Sequence, residues 1–350
     1  MKRRRAAFRF LVAGTAAFGL FAVILNHGLI GLPDSESKRV AIVALALVLA
    51  AVAAVPLWLH WRGPWTRGAA VVVVVLLAGE LRRAWLRYGD ALESSGIPSI
   101  ELLHPVTTLD LRRVHFEQAL PGLPAPHLRV LELSDLHITE ALPSDYYARI
   151  EREIAASDAD LLFLTGDYLS TAARFPLLER WLAALPRARY GNFAVLGNHD
   201  QWVDPERSRA VLARAGVTVL SGRCTLVPVP GGSGIRLCGT EAPWGPALDA
   251  AAIASGAPGA SPLFVIAHSA RSLPSLHALG ASVVFAGHTH GGQMRLPLIG
   301  AIIVPDGRRF DLGHFNVDGT HLWVSAGVGA DEPPLRIYCP PELVEVDFRP

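Results

Sequence analysis

The sequence predicts a C-terminal α/β fold, a two-sheet sandwich with helices outside, preceded by transmembrane helices. Three observations carry that prediction. From Leu128 onward short apolar strands alternate with segments of helical spacing, and the early strands stop at Asp or Asn. Later strands follow one another without intervening helices. Long apolar runs fill the first ninety or so residues.

At the N-terminus the basic tail "MKRRRAAFR" precedes an apolar run from Phe10 to about Leu32. Polar "PDSESKR" separates it from a second run, Val40 to about Leu59. Both reach the roughly 17 to 25 residues that span a bilayer as a helix. A third run, "AAVVVVVLLAG" from Ala69 to Gly79, is shorter and meets Glu80, Arg82 and Arg83 almost at once. It spans only if Trp65 and Arg67 sit at headgroup level and the far arginines snorkel, so two and three spans both stand. Lys2, Arg3, Arg4, Arg5 and Arg9 place the N-terminus in the cytoplasm of a multi-pass, bacterial-type inner-membrane protein. With two spans Arg62, Arg67, Arg82, Arg83 and Arg87 also lie inside, which favours a cytoplasmic C-terminal domain; three spans would carry it across. Residues 1–100 are read as the membrane region and 101–350 as the C-terminal domain.

Net charge +1 over 350 residues nominates no nucleic-acid partner. Cys224, Cys238 and Cys339 are too few and too scattered for a disulfide scaffold and form no C-x-x-C pair. Buried free thiols are expected, with a Cys224–Cys238 bridge reserved for an exported chain.

Entering the C-terminal domain, "TLDLRRVHFE" alternates as a strand. "LRVLELSD", "ADLLFLTGD" and "NFAVLGNHD" follow, separated by helical "DYYARIEREIAA" and "FPLLERWLAAL". The strands "VTVLSG", "CTLVPVP", "IRLCGTE", "PLFVIAHS", "SVVFAGHTHGG" and "HLWVSAGVG" then suggest a second, more antiparallel sheet. Open α/β sheets place ligands at C-terminal strand ends, where these polar endings fall.

The endings supply Asp135 and His137, Asp167, Asn198, His199 and Asp200, His268, and His288 with His290. Imidazole, carboxylate and amide donors in this mixture suit transition metals, and they outnumber the needs of one tetrahedral ion. Two ions sharing a carboxylate fit better. In an extended strand Asp135 and His137 point the same way, as do His288 and His290, so each pair can address one centre. Glycines 166, 197, 287, 291 and 292 leave room for tight turns and a substrate. D-x-H or G-D alone is read as a cap or turn; "GNHD" and "GHTHGG" are what strand propensity would not choose.

In this order the five blocks resemble the calcineurin-like metallophosphoesterase superfamily, over roughly Leu128 to Phe348. The resemblance implies a four-layer α/β/β/α sandwich and two divalent ions: manganese, iron or zinc. It implies that Asp135, His137 and His290 hold one ion and Asn198, His268 and His288 the other, with Asp167 bridging. It places His199 near the leaving group, oriented by Asp200. "GHTHGGQMRLP" and "SAGVGADEPPLRIYCPPELVEVDF" look most like a bacterial branch of membrane-anchored or exported phosphodiesterases. That branch includes enzymes hydrolysing the pyrophosphate of a UDP-linked diacylglucosamine. The G-N-R-D of the lipid A pyrophosphatases and the V-D-R-G continuation of Ser/Thr phosphatases are both missing.

The activity so implied is hydrolysis of a phosphodiester or pyrophosphate bond at the membrane surface, on a lipid-linked or nucleotide substrate. The alternatives are a soluble-substrate cyclic-nucleotide phosphodiesterase and a catalytically silent membrane scaffold. Arg295 and Arg336 are open between phosphate clamp and ordinary ion pair, and Trp202 between pocket wall and packing. His104, His115, His127, His277, His314 and His321 are read as surface or satisfied polar residues.

Overall fold

The structure is a computed structural model that describes residues 105–350, apart from 231, 233, 260, 297–299 and 302. The expected spans, the 100/101 boundary and His104 lie outside the described residues. Among the described residues no helix is long and apolar enough to cross a membrane. The unit that carries both sheets runs from 105 to 301 and from 310 to 350.

The strands are β1 (Arg112–Ala119), β2 (Leu128–Leu133), β3 (Leu161–Leu164), β4 (Asn192–Ala194), β5 (Val217–Val219), β6 (Cys224–Val227) and β7 (Ile235–Thr240). They continue as β8 (Leu263–Ala267), β9 (Val283–Ala286), β10 (Arg295–Leu296), β11 (Gly300–Ala301), β12 (Gly313–Val317), β13 (Thr320–Val324) and β14 (Glu342–Arg349). Between them lie α1 (Ser144–Ala156), α2 (Phe175–Ala183), α3 (Asn198–Val203), α4 (Pro205–Arg214), α5 (Ala250–Gly256) and α6 (Leu273–Ala278).

Two mixed six-stranded sheets result, ordered β1-β14-β2-β3-β4-β5 and β12-β13-β9-β8-β7-β6, and helices flank them. Along β3, Leu161 and Phe163 pack in the core between the sheets, while Leu162 and Leu164 join the core under the helices. That alternation is the period of two of a pleated strand. α1 buries Tyr146, Tyr147, Ile150 and Ile154, and α2 buries Phe175, Leu178, Trp181 and Leu182. Both stripes follow helical spacing and explain why these segments cover the first sheet. Between the sheets Phe285 stacks on Trp323 at 5.3 Å between ring centroids, and Phe163 meets Phe285 edge-on.

The second sheet is the more antiparallel of the two, as expected, with two antiparallel pairings against one in the first, but its centre is parallel. β7, β8, β9 and β13 run parallel; only β6 and β12 pair antiparallel at its edges. Parallel neighbours need crossovers, and α5 and α6 supply two of them. Alanine-rich "AAAIASG" and proline-started "LPSLHA" are only seven and six residues long, too short to show an amphipathic period in the sequence.

The cysteine expectation also needs correction. Cys224 and Cys238 are cross-strand partners on β6 and β7 and form a disulfide; Cys339 is buried and free. A pairing set by strand register is invisible before the strands are aligned.

Candidate metal centre

Both sheets deliver their polar strand ends to one place. From the first come Asp135 after β2, Asp167 after β3 and Asn198 at the start of α3; from the second come His268 after β8 and His288 and His290 after β9. The structure groups donor atoms of Asp135, His137 and His290, of His137, Asp167 and His199, and of Asp167, His268 and His288, each set within 4.8 Å. Asp167 belongs to two sets. Its Oδ2 stands 3.6 Å from His137 Nε2 and 3.2 Å from His268 Nε2. Asn198 Oδ1 lies 3.0 Å from His268 Nε2, and Asp135 Oδ1 lies 3.3 Å from His290 Nε2.

The route to this convergence differs from the extended geometry expected of D-x-H and H-x-H. Asp135, His137, Asp167, His288 and His290 all have positive φ, between 37° and 68°. Left-handed backbone at a non-glycine residue costs on the order of 1–3 kcal/mol and persists where the surroundings over-determine it. Here the loops after β2 and β3 zip together. Asp135 N donates to Gly166 O, His137 N to Asp167 O and Ile138 N to Tyr168 O, at 2.9–3.0 Å. Gly166 must be glycine: its φ is 103°, and a Cβ would stand 2.5 Å from Gly197 N and 2.9 Å from His268 Nδ1. A Cβ on Gly197 would overlap the Asp167 carboxylate.

Asp200 does something other than orient His199. Its Oδ2 accepts from Asp167 N at 2.8 Å and Gly197 N at 2.9 Å, and its Oδ1 from Tyr168 N at 3.0 Å. The side chain is wholly buried, so it fixes the backbone that carries Asp167. His199 N in turn donates to Asp167 Oδ1 at 2.9 Å. Two carboxylates lie near the His199 ring: Asp167, grouped with it and His137 within 4.8 Å, and Asp331, whose Oδ2 is 3.9 Å from Nε2.

Several partners were not legible beforehand. Ser170 Oγ is 2.8 Å from His137 Nδ1, and Thr165 O is 2.7 Å from His268 Nδ1, which fixes both rings. Ser134 donates to Asp135 Oδ2. Glu241, at the end of β7, accepts from Leu196 N, Gln201, Arg209 and Ser221 and so anchors the approach to α3. "GDYLS" and "GTE" held the only sequence trace of Ser170 and Glu241. Trp244 stacks at 4.8 Å from His288 and Trp202 at 5.1 Å from His199, placing indoles at two sides of the cluster.

The two open arginines resolve as structural. Arg336 is fully buried and donates to the carbonyls of Gly329, His290, Cys339, Ala326 and Gly327. Arg295 pairs with Asp311 at 3.1 Å and donates to Gly291 O at 2.7 Å. Neither guanidinium is available as a phosphate clamp. His115 and His127 pair with Glu345 and Asp347, His277 with Thr320, and His314 with His321.

Burial and mutual charge set the protonation of the cluster. Burial holds the His137 imidazole down at about 4 and His290 well below its usual range, so both present neutral donors. Burial, then the Asp167 charge, push the Asp135 carboxyl up to about 6 and Asp200 to about 8, against His268 and backbone N–H donors. Burial also opposes charge on His268, but Asp167 beside it raises the imidazole to about 9. Asp167 stays ionised well below the carboxylate range: burial works against its charge, and His268, His137 and His199 outweigh burial.

These residues fit divalent cations. His137 Nε2 is buried without a hydrogen bond and faces Asp167, an orphaned donor that a cation would satisfy. Mixed imidazole and carboxylate donors match the preference of first-row transition metals.

Residues 128–292 match the family described as Calcineurin-like phosphoesterase. Phosphodiesterase YaeI of Escherichia coli K12 is 28% identical over 236 residues, 64% of this chain and 83% of that protein. An uncharacterized metallophosphoesterase of Helicobacter pylori J99 is 25% identical, over 64% of this chain and 60% of its own length. The UDP-2,3-diacylglucosamine pyrophosphatase LpxG of Chlamydia muridarum is 36% identical over 75 residues, 21% of this chain and 22% of that protein. The segment that matches the calcineurin-like phosphoesterase family contains every donor of the buried His/Asp cluster, and the chain is a metal-dependent hydrolase of phosphoesters.

Proposed function

We propose that the protein is a binuclear phosphodiesterase, anchored in a membrane by its N-terminal third and acting on a diester or pyrophosphate bond near the bilayer surface. One observation carries the binuclear reading: a single buried carboxylate, Asp167, reaches toward His137 on one side and His268 on the other. Asp135, His137 and His290 would hold one cation, and Asn198, His268 and His288 the other, with Asp167 between. Bound divalent cations supply positive charge against the phosphate oxygens and lower the pKa of water toward neutrality.

The chain's own groups do the rest. Ser170 and Thr165 orient the His137 and His268 rings, and Asp200 keeps Asp167 in register. His199 is, with His288, one of the two partly open members of the cluster, its side chain 21% exposed against 1% and 0% for His137 and His268. From that position at the mouth it can give a proton to the departing oxygen. Trp202, 65% exposed, continues the wall beyond it.

The relative named as a phosphodiesterase supports a diester substrate, and the short match to a UDP-2,3-diacylglucosamine pyrophosphatase supports a lipid-linked pyrophosphate. Arginine counts alone favour a cytoplasmic domain, but disulfides persist mainly in oxidising compartments. The Cys224–Cys238 bond therefore supports the opposite face, reached with three spans.

The test is hydrolysis of bis(p-nitrophenyl) phosphate by the full-length chain in detergent, with manganese, iron or zinc added after chelation. Incubation with a membrane lipid extract, followed by product identification, then narrows the substrate. Metal-restored turnover that vanishes in Asp167→Ala supports the reading; a folded, metal-loaded chain inert toward every diester and pyrophosphate contradicts it.

A further inference from the structure

Two stretches named in the sequence are left over by the metal cluster: Gln293, which ends "GHTHGGQ", and the "ADEPP" segment near the C-terminus. The structure ties them together. Gln293 Oε1 accepts from Asp331 N at 2.9 Å, while its Nε2 donates to Asp331 O at 3.1 Å and Pro333 O at 3.0 Å. One amide thus grips the backbone on both sides of Glu332. Gln293 is itself anchored, donating its N–H to His290 O at 2.9 Å and accepting from Ile337 N at 3.0 Å. The turn bearing His290 therefore fixes where Asp331 stands.

The Asp331 carboxylate is also fixed in rotation. Its Oδ1 accepts from Glu332 N at 2.8 Å, and its other oxygen, Oδ2, faces His199 Nε2 at 3.9 Å. Asp200, the acidic residue next to His199 in sequence, has both oxygens committed to backbone N–H groups. On the remaining sides the His199 ring meets His137 edge-on at 4.8 Å and Trp202 at 5.1 Å. Neither ring offers a carboxylate, and the Asp167 carboxylate, grouped with His137 and His199 within 4.8 Å, is engaged by His268 Nε2 and the His199 backbone N–H.

We propose that Asp331, held over the site by Gln293, is the positioning residue for His199: its carboxylate takes the Nε2 side of the ring and fixes how the imidazole is presented to the leaving group. A carboxylate behind an imidazole selects tautomer and orientation and favours the charged form. As the oxygen of a water molecule bonds to phosphorus and the P–O bond to the leaving group breaks, the imidazolium gives one proton to the leaving oxygen and regains the one that the attacking water releases. The role rests on the phosphodiesterase reading above, and it assigns to Asp331 what the family resemblance assigned to Asp200.

The test uses the full-length chain in detergent, with Asp331→Asn, Asp331→Ala and Gln293→Ala. Asp331 is 44% exposed, so its variants should fold. Turnover is measured on aryl methyl phosphodiesters whose leaving phenols run from p-nitrophenol to phenol. Loss of His199 positioning should lower kcat about tenfold for phenol and less than about twofold for p-nitrophenol, because a good leaving group needs little proton donation. An equal loss across the series, or none, overturns the proposal. A second readout is independent of turnover: the ring ¹⁵N signals of His199 in the metal-free protein, assigned by their loss in His199→Gln, should move in Asp331→Ala. Unmoved signals overturn the proposal as well. If the wild-type chain hydrolyses no diester, the functional reading fails, while the ¹⁵N shifts still decide whether Asp331 holds His199.

Discussion

Asp167 Oδ2 lies 3.2 Å from His268 Nε2, and the two residues close off strands of different sheets, β3 and β8. This contact stitches the sandwich at its functional edge, and in the metal-free protein it is an ion pair. Desolvation opposes the charge on His268, yet Asp167 raises the imidazole to about 9 from an ordinary 6.5. A cation binding there must displace that proton. Affinity for Mn²⁺, measured by calorimetry, should climb up to about tenfold per pH unit from pH 7 to near 9 and then level off. Affinity that stays flat over this interval would show that His268 is already neutral.

The same linkage gives the metal-free protein an unusual stability profile. Burial is the first cause of the raised carboxyls of Asp135, Glu342 and Asp200, at about 6, 7 and 8, and Asp167 keeps His268 at about 9 against burial. A group whose folded pKa is raised contributes stability below its unfolded value and loses it as pH passes the folded one. The loss from Asp135 is complete by about pH 6, while those from Glu342, Asp200 and His268 continue into the window from pH 6.5 to 9. Thermal melts of chelated protein should therefore drop across that window, and saturating metal should remove the drop.

Asp200→Ala removes no expected metal donor but strands three buried backbone N–H groups, those of Asp167, Tyr168 and Gly197. Such a network is worth on the order of 3 kcal/mol. The variant should melt several degrees lower and bind metal weakly. Were Asp200 instead a partner of His199, metal affinity and stability would be unchanged while kcat alone fell.

Thiol titration of the denatured chain, isolated without reductant, should find one free cysteine, Cys339, and three after reduction. Three free thiols before reduction would place the domain in a reducing compartment and restore the cytoplasmic orientation.

What the sequence revealed and what it concealed follow a physical division. Apolar runs ending in Asp, Asn or His mark strand ends directly, so the donors from Asp135 to His290 could be read off. The helices α1 and α2 were legible because each is long enough to repeat its stripe. Short α5 and α6 left the parallel centre of the second sheet hidden. Positive φ at Asp135 and His137 was hidden too, because it is imposed by hydrogen bonds to the loop after β3. The three backbone N–H groups that occupy the Asp200 carboxylate were hidden for a related reason, since they belong to loops that meet only in the fold. Asp331 and Glu241 are brought to the site by topology alone, with no local pattern to announce them.

The central claim is that one buried carboxylate serves two cations. Manganese bound per folded full-length chain, counted by elemental analysis after equilibrium dialysis, tests it most directly when paired with Asp167→Ala. The account predicts two ions in the wild-type protein and loss of both tight sites, with loss of turnover, in the variant. Two ions retained by a folded Asp167→Ala chain, or a single ion in a fully active wild-type enzyme, would contradict it.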